Sequence, residues 1–294
     1  MSQFEDRYWT SQDGLKLHYR DYAGNGPATE AAPDGRPPVL CMHGLTRNAR
    51  DFEVVAPRLA ANGWHVICPD MRGRGDSAYA KDPATYNPVQ YVQDVTALLD
   101  QLQIDRFVSI GTSMGGLMTI IMGYTMPDRI AGCLLNDIGP EVETVGLDRI
   151  MDYLGQGRTF PTWMHAARAI EETHGAAFPD WKIDDWLVMA KRTMTLSSNG
   201  RIVFDYDMKI AEPFKGVDYT SQPDMWPGFH ALAAGPVAAL RAELTELISA
   251  ETFRKMGECG QDVELVTVPR VGHAPTLEEP EAVAAIDRLL ARVG

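Results

Sequence analysis

The apolar positions of this 294-residue chain follow two alternating patterns. Short, nearly continuous apolar runs, typical of strands buried on both faces of a sheet, alternate with longer segments whose apolar residues recur at helical spacing. This alternation predicts an α/β fold: a mostly parallel central sheet covered by helices on both faces. The strand-like runs are 38–42, 64–69, 106–110, 130–136, 235–240 and 263–268, and the helical segments include 51–62, 88–103 and 279–293.

The N-terminal residues predict a different element, a β-hairpin. Residues 4–10 and 15–22 are two strand-like runs. The pair Asp13-Gly14 lies between them and is typical of a hairpin turn. We therefore expect an antiparallel edge on an otherwise parallel sheet.

The middle of the chain, residues 141–230, lacks buried-strand runs and contains helix-like segments at 145–154, 162–174 and 184–195. We expect a mainly helical cap, inserted after the strand at 130–136, so that residues 1–140 and 231–294 form the core domain. The large apolar residues of this segment predict an apolar lid over the sheet edge. Trp163 and Trp186 are the candidate substrate-binding residues within it.

Composition narrows the possible partners and the compartment. The formal net charge of −13 disfavours nucleic acid and anionic membrane surfaces. No stretch approaches the ~20 apolar residues of a membrane-spanning helix, and the first residues lack the features of a signal peptide. The four cysteines, at positions 41, 68, 133 and 259, are scattered as expected of free thiols in a reducing compartment, which predicts a cytoplasmic protein.

Motifs for metal or cofactor binding are absent from the sequence. There is no Cys-x-x-Cys, no His-Glu-x-x-His, and no Gly-x-Gly-x-x-Gly after a strand. We therefore expect neither a metal site nor a cofactor.

The stretch from Gly111 to Gly115, which reads Gly-Thr-Ser-Met-Gly, lies between a predicted strand and a predicted helix. This is the pattern of a nucleophile elbow, a sharp turn that lifts a serine hydroxyl out of the sheet. Small residues two positions before and after Ser113 let neighbouring segments approach closely. The turn also directs the Met114 N–H, at a helix N-terminus, toward any oxyanion that forms.

A serine hydroxyl needs a base within hydrogen-bond reach, and that base needs an acid to fix its tautomer. Among the seven histidines, His273 is the best candidate base, because its loop follows the last strand at the same sheet edge as Ser113. His43 lies directly after a buried strand, and we interpret it as a structural residue. The other five have no convergent partners, although one in the cap could contact substrate.

The acid is expected in a loop after a late strand. Glu246 satisfies this, and room for one helix and one strand remains between it and His273. Asp137, at the end of the strand that follows the elbow helix, is the alternative acid, and Glu243 is a weaker third candidate. The chain order Ser, Glu, His is the order expected of this kind of triad.

The loops at this edge carry further motifs. One buried strand ends in His43-Gly44-Leu45; later loops read Asp-Met-Arg-Gly-Arg-Gly-Asp-Ser from residue 70, Asn-Asp-Ile-Gly-Pro from residue 136, and Gly-His at 272–273. Together with the elbow, these motifs resemble the α/β-hydrolase fold superfamily, and most nearly its bacterial esterases and lactonases with a helical cap. The resemblance spans nearly the whole chain. It implies the α/β-hydrolase fold and an oxyanion hole made by the backbone N–H groups of Leu45 and Met114. The family usually has Asp where this chain has Glu246.

These features lead to two hypotheses of different classes. The first is a cofactor-free serine hydrolase that cleaves a carboxylic ester or lactone of a small, partly apolar substrate under the lid. The same residues also serve carbon–carbon bond hydrolases, amidases and perhydrolases. Arg47, just past the oxyanion loop, is a candidate partner for a substrate carboxylate, or else a solvated loop charge. The second hypothesis is a non-catalytic, hydrolase-like receptor, which the presence of both Ser113 and His273 disfavours.

Overall fold

The computed structural model describes residues 4–23, 35–216 and 222–293. All strands of the described chain, in order, are β1 (Glu5–Thr10), β2 (Lys16–Tyr22), β3 (Val39–Met42), β4 (Val66–Pro69), β5 (Phe107–Thr112), β6 (Ile130–Asn136), β7 (Thr159–Phe160), β8 (Met194–Leu196), β9 (Ile202–Phe204), β10 (Val237–Ala242) and β11 (Val263–Val268). The main sheet has eight of them, in the order β1-β2-β4-β3-β5-β6-β10-β11. The first two strands pair antiparallel as the predicted hairpin, and β2 pairs antiparallel with β4. The other six strands of this sheet, β4, β3, β5, β6, β10 and β11, run parallel to one another.

Helices cover both faces of this sheet, as the alternating pattern predicts. Successive side chains of a strand point to opposite faces. In β3, Val39 and Cys41 pack with α1 (Val55–Ala61) and α9 (Pro280–Val293), whereas Leu40 and Met42 pack with α2 (Pro88–Gln101) and α3 (Met114–Thr125). The helices of the described chain are α1 (Val55–Ala61), α2 (Pro88–Gln101), α3 (Met114–Thr125), α4 (Thr144–Tyr153), α5 (Trp163–His174), α6 (Ile183–Thr193), α7 (Trp226–Leu232), α8 (Ala250–Gly257) and α9 (Pro280–Val293). None of these helices has the length and apolarity that crossing a membrane would require.

The chain leaves the main sheet after β6 and returns to it at β10. Between them, residues 141–230, here called the cap segment, hold α4 to α6, the first residues of α7, and a small antiparallel sheet in the order β7-β9-β8. This small sheet differs from the sequence expectation, which extended a helix to residue 195. The helix ends at Thr193 because the next residues pair with another strand, Met194 opposite Phe204.

One end of α6 fastens the cap segment to the loop that follows β3. The carbonyl oxygen of Arg192 accepts hydrogen bonds from Asn48 Nδ2 and Arg50 Nε, both at 2.9 Å. The buried guanidinium of Arg192 pairs with Glu53 at 2.8 Å and with Glu278 at 2.7 Å. A buried charge with two partners resists separation, so this contact holds the cap segment over the carboxyl edge of the sheet.

Candidate active site

Ser113 occupies the turn between β5 and α3 with φ of 51° and ψ of −112°, a backbone conformation that non-glycine residues rarely adopt. Two glycines permit the turn. A Cβ added at Gly111 would lie 2.5 Å from the backbone of Gly115, and one added at Gly115 would lie 2.1 Å from the carbonyl oxygen of Met42. The two glycines therefore permit the sharp turn that the sequence predicts for a nucleophile elbow.

A continuous line of hydrogen bonds leads from this serine to a buried carboxylate. His273 Nε2 lies 2.8 Å from Ser113 Oγ, and His273 Nδ1 lies 2.8 Å from Asp137 Oδ2. Asp137 is fully buried, and its other oxygen accepts the N–H of Ala242 at 2.8 Å. The hydrogen bond from Ala242 fixes the orientation of the carboxylate, and the carboxylate in turn fixes the orientation of the His273 imidazole.

The structure contradicts the prediction that Glu246 contacts His273. The Glu246 side chain is 40% exposed and pairs with Arg149 of α4 at 2.6 Å. In the sheet, β6 lies between β5 and β10, so the loop after β6 is the one beside the nucleophile strand. Asp137, the alternative acid of the sequence analysis, stands in that loop. The third candidate, Glu243, instead accepts the backbone N–H of Arg270 at 2.7 Å.

The loop after β3 lies beside the nucleophile. A Cβ added at Gly44 would be 3.8 Å from Ser113 Cβ, so the backbone of Gly44 and Leu45 passes close to the serine. On the other side, Met114 is the first residue of α3, where an N–H group has no acceptor within the helix. These are the two positions expected for the oxyanion hole.

His43 holds this loop in place, which is the structural role that the sequence predicts for it. The Met71 N–H donates to His43 Nε2 at 3.0 Å, so Nδ1 carries the proton and donates to the Gly44 carbonyl at 2.7 Å. Burial lowers the pKa of His43 to about 4, so the ring is neutral near neutral pH. Because the Gly44 carbonyl and the Leu45 N–H belong to one peptide group, this hydrogen bond also orients the N–H.

Arg74 fixes the next peptide group of the loop and was not recognised in the sequence. Its guanidinium is fully buried, and Nε donates to the Leu45 carbonyl at 2.9 Å. Its Nη1 donates to the Arg72 carbonyl at 2.8 Å and to the Tyr91 hydroxyl at 2.9 Å. The only sequence signal was an arginine between two glycines in the loop after β4, and it does not specify a contact.

A cavity of about 140 Å³ lies between the cap segment and the sheet edge and reaches Ser113 and His273. Leu45, of the predicted oxyanion hole, and the candidate substrate-binding residues Arg47 and Trp186 line it. Trp163 does not line it: it stands at the first turn of α5 and packs, partly buried, into the core cluster. The prediction that Trp163 binds substrate therefore has no support from its position. The apolar lining includes Phe52, Ile170, Phe178, Met189 and Phe204.

Arg47 has a protein partner within the cavity wall. Its Nε and Nη2 donate to the Asp51 carboxylate at 2.7–2.9 Å, a bidentate arrangement. The charge of Arg47 is therefore largely compensated before any substrate enters.

One group of residues in the described chain could hold a metal ion, and it lies away from this cavity. It consists of Asp6, His18 and Asp76. His18 already uses both ring nitrogens, on Asp70 at 2.7 Å and on Asp6 at 2.9 Å. These contacts make the cluster a hydrogen-bonded anchor of the N-terminal hairpin.

Comparison with known proteins agrees with the fold and the motifs. Residues 39–286 match the alpha/beta hydrolase family. The chain is 34% identical over 257 residues to a 3-hydroxybutyrate-oligomer hydrolase of Cupriavidus necator, covering 84% of this chain and 85% of the relative. It is 24% identical over 245 residues to a 2-(acetamidomethylene)succinate hydrolase of Mesorhizobium japonicum, covering 83% and 84%.

A solved structure resembles the whole chain. An alpha/beta hydrolase of Novosphingobium aromaticivorans superposes with a TM-score of 0.93 at 59% identity and covers all of both chains. The resemblance expected from the elbow and its neighbouring loops is thereby confirmed. The chain belongs to the alpha/beta hydrolase family.

Proposed function

We propose that this protein is a serine hydrolase that cleaves a carboxylic ester through an acyl-enzyme. The observation that carries the proposal is the line of hydrogen bonds from Ser113 Oγ through His273 to Asp137. A serine hydroxyl becomes a competent nucleophile when a histidine can take its proton and a carboxylate holds that histidine in the required tautomer. All three groups are in place without rearrangement.

In the first half of the proposed reaction, Ser113 Oγ attacks the ester carbonyl carbon while His273 Nε2 takes the hydroxyl proton. The developing oxyanion lies against the N–H groups of Leu45 and Met114, which are fixed before the substrate arrives. Collapse of this intermediate breaks the bond to the alkoxy oxygen. His273 returns the proton to that oxygen, so the alcohol leaves neutral and the acyl group stays on Ser113.

In the second half, a water molecule attacks the acyl-enzyme. His273 takes the water proton, and the same N–H groups hold the second oxyanion. Breakdown returns the proton to Ser113 Oγ and releases the carboxylic acid. Asp137 stays ionised and stabilises the imidazolium that forms in each half. No metal or redox group enters these steps.

The substrate class follows from the cavity and from the relatives. A largely apolar lining suits a short, partly apolar small molecule. The name of the relative at 34% identity specifies an oligomer of 3-hydroxybutyrate, so we favour a short-chain oxoester, linear or lactone. Amides and carbon–carbon bonds are the alternative substrates of the same triad, and a panel of matched esters, amides and β-diketones distinguishes them by kcat/KM.

Replacement of the nucleophile tests the proposal. Ser113→Ala should lower kcat about 10⁶-fold and abolish labelling by a fluorophosphonate. Ser109→Ala is the matched control: this buried serine lies on β5, the strand that precedes Ser113, and its hydroxyl is hydrogen-bonded to that of Thr119 at 2.7 Å. Ser109→Ala should still be labelled. A fluorophosphonate adduct on the Ser113→Ala protein, or activity above a few per cent, would contradict the proposal, and a wild type that is never labelled would favour the receptor hypothesis.

A further inference from the structure

Two polar rings of the cap segment meet at one wall of the cavity. Tyr153 is the last residue of α4 and His174 is the last residue of α5. Their ring centroids are 5.0 Å apart with an interplanar angle of 72°, an edge-to-face contact. Both residues line the cavity that holds Ser113 and His273. The proposed reaction gives neither of them a role.

Several other polar side chains of the cavity wall already have protein partners. Thr173 donates to the Ala169 carbonyl at 3.0 Å, and Thr193 donates to the Met189 carbonyl at 2.9 Å. Arg47 is held by Asp51. Within the described residues, by contrast, no hydrogen bond joins the Tyr153 hydroxyl or the His174 ring nitrogens to protein. A half-buried polar group without a protein partner is available to a ligand that takes the place of water.

The charge state of the pair restricts what that ligand can be. Burial lowers the pKa of His174 to about 4, and the positive charges of Arg47 and Arg149 act in the same direction. Burial also raises the pKa of Tyr153 to about 12, although Arg47 opposes this. Both rings are therefore neutral around neutral pH. A neutral imidazole offers one donor and one acceptor, and a phenol offers the same.

This combination matches an alcohol better than a carboxylate. A hydroxyl group both donates and accepts one hydrogen bond, as each ring does. A carboxylate only accepts and prefers a cation, but Arg47, the cation of the oxyanion loop, is already paired with Asp51. Another arginine of the lining, Arg158, is exposed to solvent and lies over the ring of Phe160. We propose that Tyr153 and His174 bind a free hydroxyl group of the substrate, and that this protein hydrolyses hydroxylated short-chain esters.

The inference rests on the proposed ester hydrolysis and deepens it. A hydroxyl group in an apolar cavity would otherwise lose its hydrogen bonds to water, so the pair makes a hydroxylated ester a better substrate than its unsubstituted analogue. The name of the 34% identical relative specifies oligomers of a hydroxy acid, which agrees with a preference for hydroxylated esters. The hydroxyl can stand on the acyl part or on the alcohol part of the ester.

The test compares four esters by kcat/KM. Ethyl butyrate is the reference, ethyl 3-hydroxybutyrate carries the hydroxyl on the acyl part, 2-hydroxyethyl butyrate carries it on the alcohol part, and monoethyl succinate carries a carboxylate. We expect one of the two hydroxylated esters to be preferred over ethyl butyrate by about 10-fold, the value of one or two neutral hydrogen bonds. A wild type that prefers neither, or that prefers monoethyl succinate, would overturn the inference.

Substitutions then assign the preference to the pair. Tyr153→Phe removes one oxygen atom, and His174→Phe keeps an aromatic ring against Tyr153; each should reduce the preference to about 2-fold or less. His174→Gln, which restores a donor and an acceptor, should recover part of it. His165→Phe is the matched control, because His165 is exposed on the same helix and bonds Thr162 at 2.9 Å. Survival of the full preference in folded Tyr153→Phe and His174→Phe proteins contradicts the inference.

Failure of this inference and failure of the proposed function give different results. If hydrolysis of all four esters persists in Ser113→Ala, the proposed function is wrong. If hydrolysis depends on Ser113 but the hydroxylated esters have no advantage, only the role of Tyr153 and His174 is wrong. Circular dichroism of each variant identifies a loss of folding, and Tyr153→Phe changes the packing least.

Discussion

The buried guanidinium of Arg74 donates a hydrogen bond from Nε to the carbonyl oxygen of Leu45 at 2.9 Å. His43 donates to the carbonyl of the preceding residue, Gly44, at 2.7 Å. The two peptide groups on either side of the Leu45 Cα are therefore both held by hydrogen bonds to their carbonyl oxygens. This clamp leaves the Leu45 N–H little freedom to turn away from Ser113, as electrostatic stabilisation of an oxyanion requires.

Replacing Arg74 should therefore affect the transition state more than substrate binding. We expect Arg74→Lys to lower kcat about 10- to 100-fold with little change in KM, because losing one oxyanion donor entirely costs about 10²–10³-fold. Steady-state kinetics with a short-chain ester measures both constants. A boronic acid, which mimics the tetrahedral intermediate, should bind the variant more weakly by a similar factor.

Arg72→Lys is the matched control for the loss of a buried arginine. Arg72 is equally buried, but its guanidinium pairs with Asp94 at 2.6 Å and Asp13 at 2.9 Å and does not bond the oxyanion loop. This variant should lower the melting temperature without a selective fall in kcat. If Arg74→Lys behaves in the same way as Arg72→Lys, Arg74 supports folding and does not position Leu45.

Exchanging each acid for its amide should separate the two candidate acids. Asp137→Asn keeps an oxygen for the Ala242 N–H but presents an amide to His273, which favours the wrong imidazole tautomer; we expect a loss of about 10⁴-fold in kcat. Glu246→Gln breaks only an exposed pair with Arg149 and should change kcat less than about 3-fold. Melting temperatures measured in parallel serve as the control. A larger loss in Glu246→Gln at unchanged stability would restore Glu246 as the acid.

The difference between these acids shows what the sequence could specify. Ser113 is marked by local features, a strand, two glycines and a helix, and its turn forms from those residues alone. The acid depends on which strand lies beside β5, and strand order is a long-range property that local patterns do not contain. Asp137 carried one local signal. Aspartate tolerates positive φ better than most residues, and Asp137 has φ of 55° directly after β6.

In the cap segment, too, local features were predictable from the sequence, and contacts between distant parts of the chain were not. The helices α4 to α6 were expected within two residues of where they occur, because amphipathic spacing is local, whereas α7 was not expected. Which aromatic residue faces the cavity depends on how each helix packs. Trp186 is the fourth residue of α6 and lines the cavity, whereas Trp163 is the first residue of α5 and does not. Tyr153 and His174 meet only because the last turns of α4 and α5 converge.

A methyl group at Gly115 should disrupt the elbow. The Cβ of Gly115→Ala would lie 2.1 Å from the Met42 carbonyl oxygen, so β3 or α3 must move. We expect the free energy of unfolding to fall by about 3–5 kcal/mol and kcat to fall with it, because Met42 precedes the oxyanion loop. In the control Gly157→Ala, the nearest atom to the new Cβ is Met208 Cγ at 3.9 Å, so stability should hold. Urea denaturation measures the free energy of unfolding of the two variants, and equal values would contradict the steric argument.

The hairpin anchor should make stability depend on pH through His18. Burial alone would lower the pKa of His18, but the hydrogen bonds to Asp70 and Asp6 and the charges of Asp70 and Asp76 outweigh it, and the pKa is raised. His18 therefore binds a proton more tightly in the folded protein than in the unfolded chain, where its pKa is about 6.5. The stabilisation is complete below that pH and is lost as the pH rises through the raised pKa.

Comparison of wild type with His18→Gln by urea denaturation from pH of about 5.5 to 9 tests this. The stability advantage of the wild type should be largest at the acidic end and should shrink as the pH rises, because neutral His18 cannot form an ion pair with Asp70. His230→Gln, a substitution of an exposed histidine on α7, corrects for the pH dependence of the rest of the protein. An advantage that is constant, or that grows toward alkaline pH, would show that His18 stabilises the hairpin by packing and neutral hydrogen bonds and not as a cation.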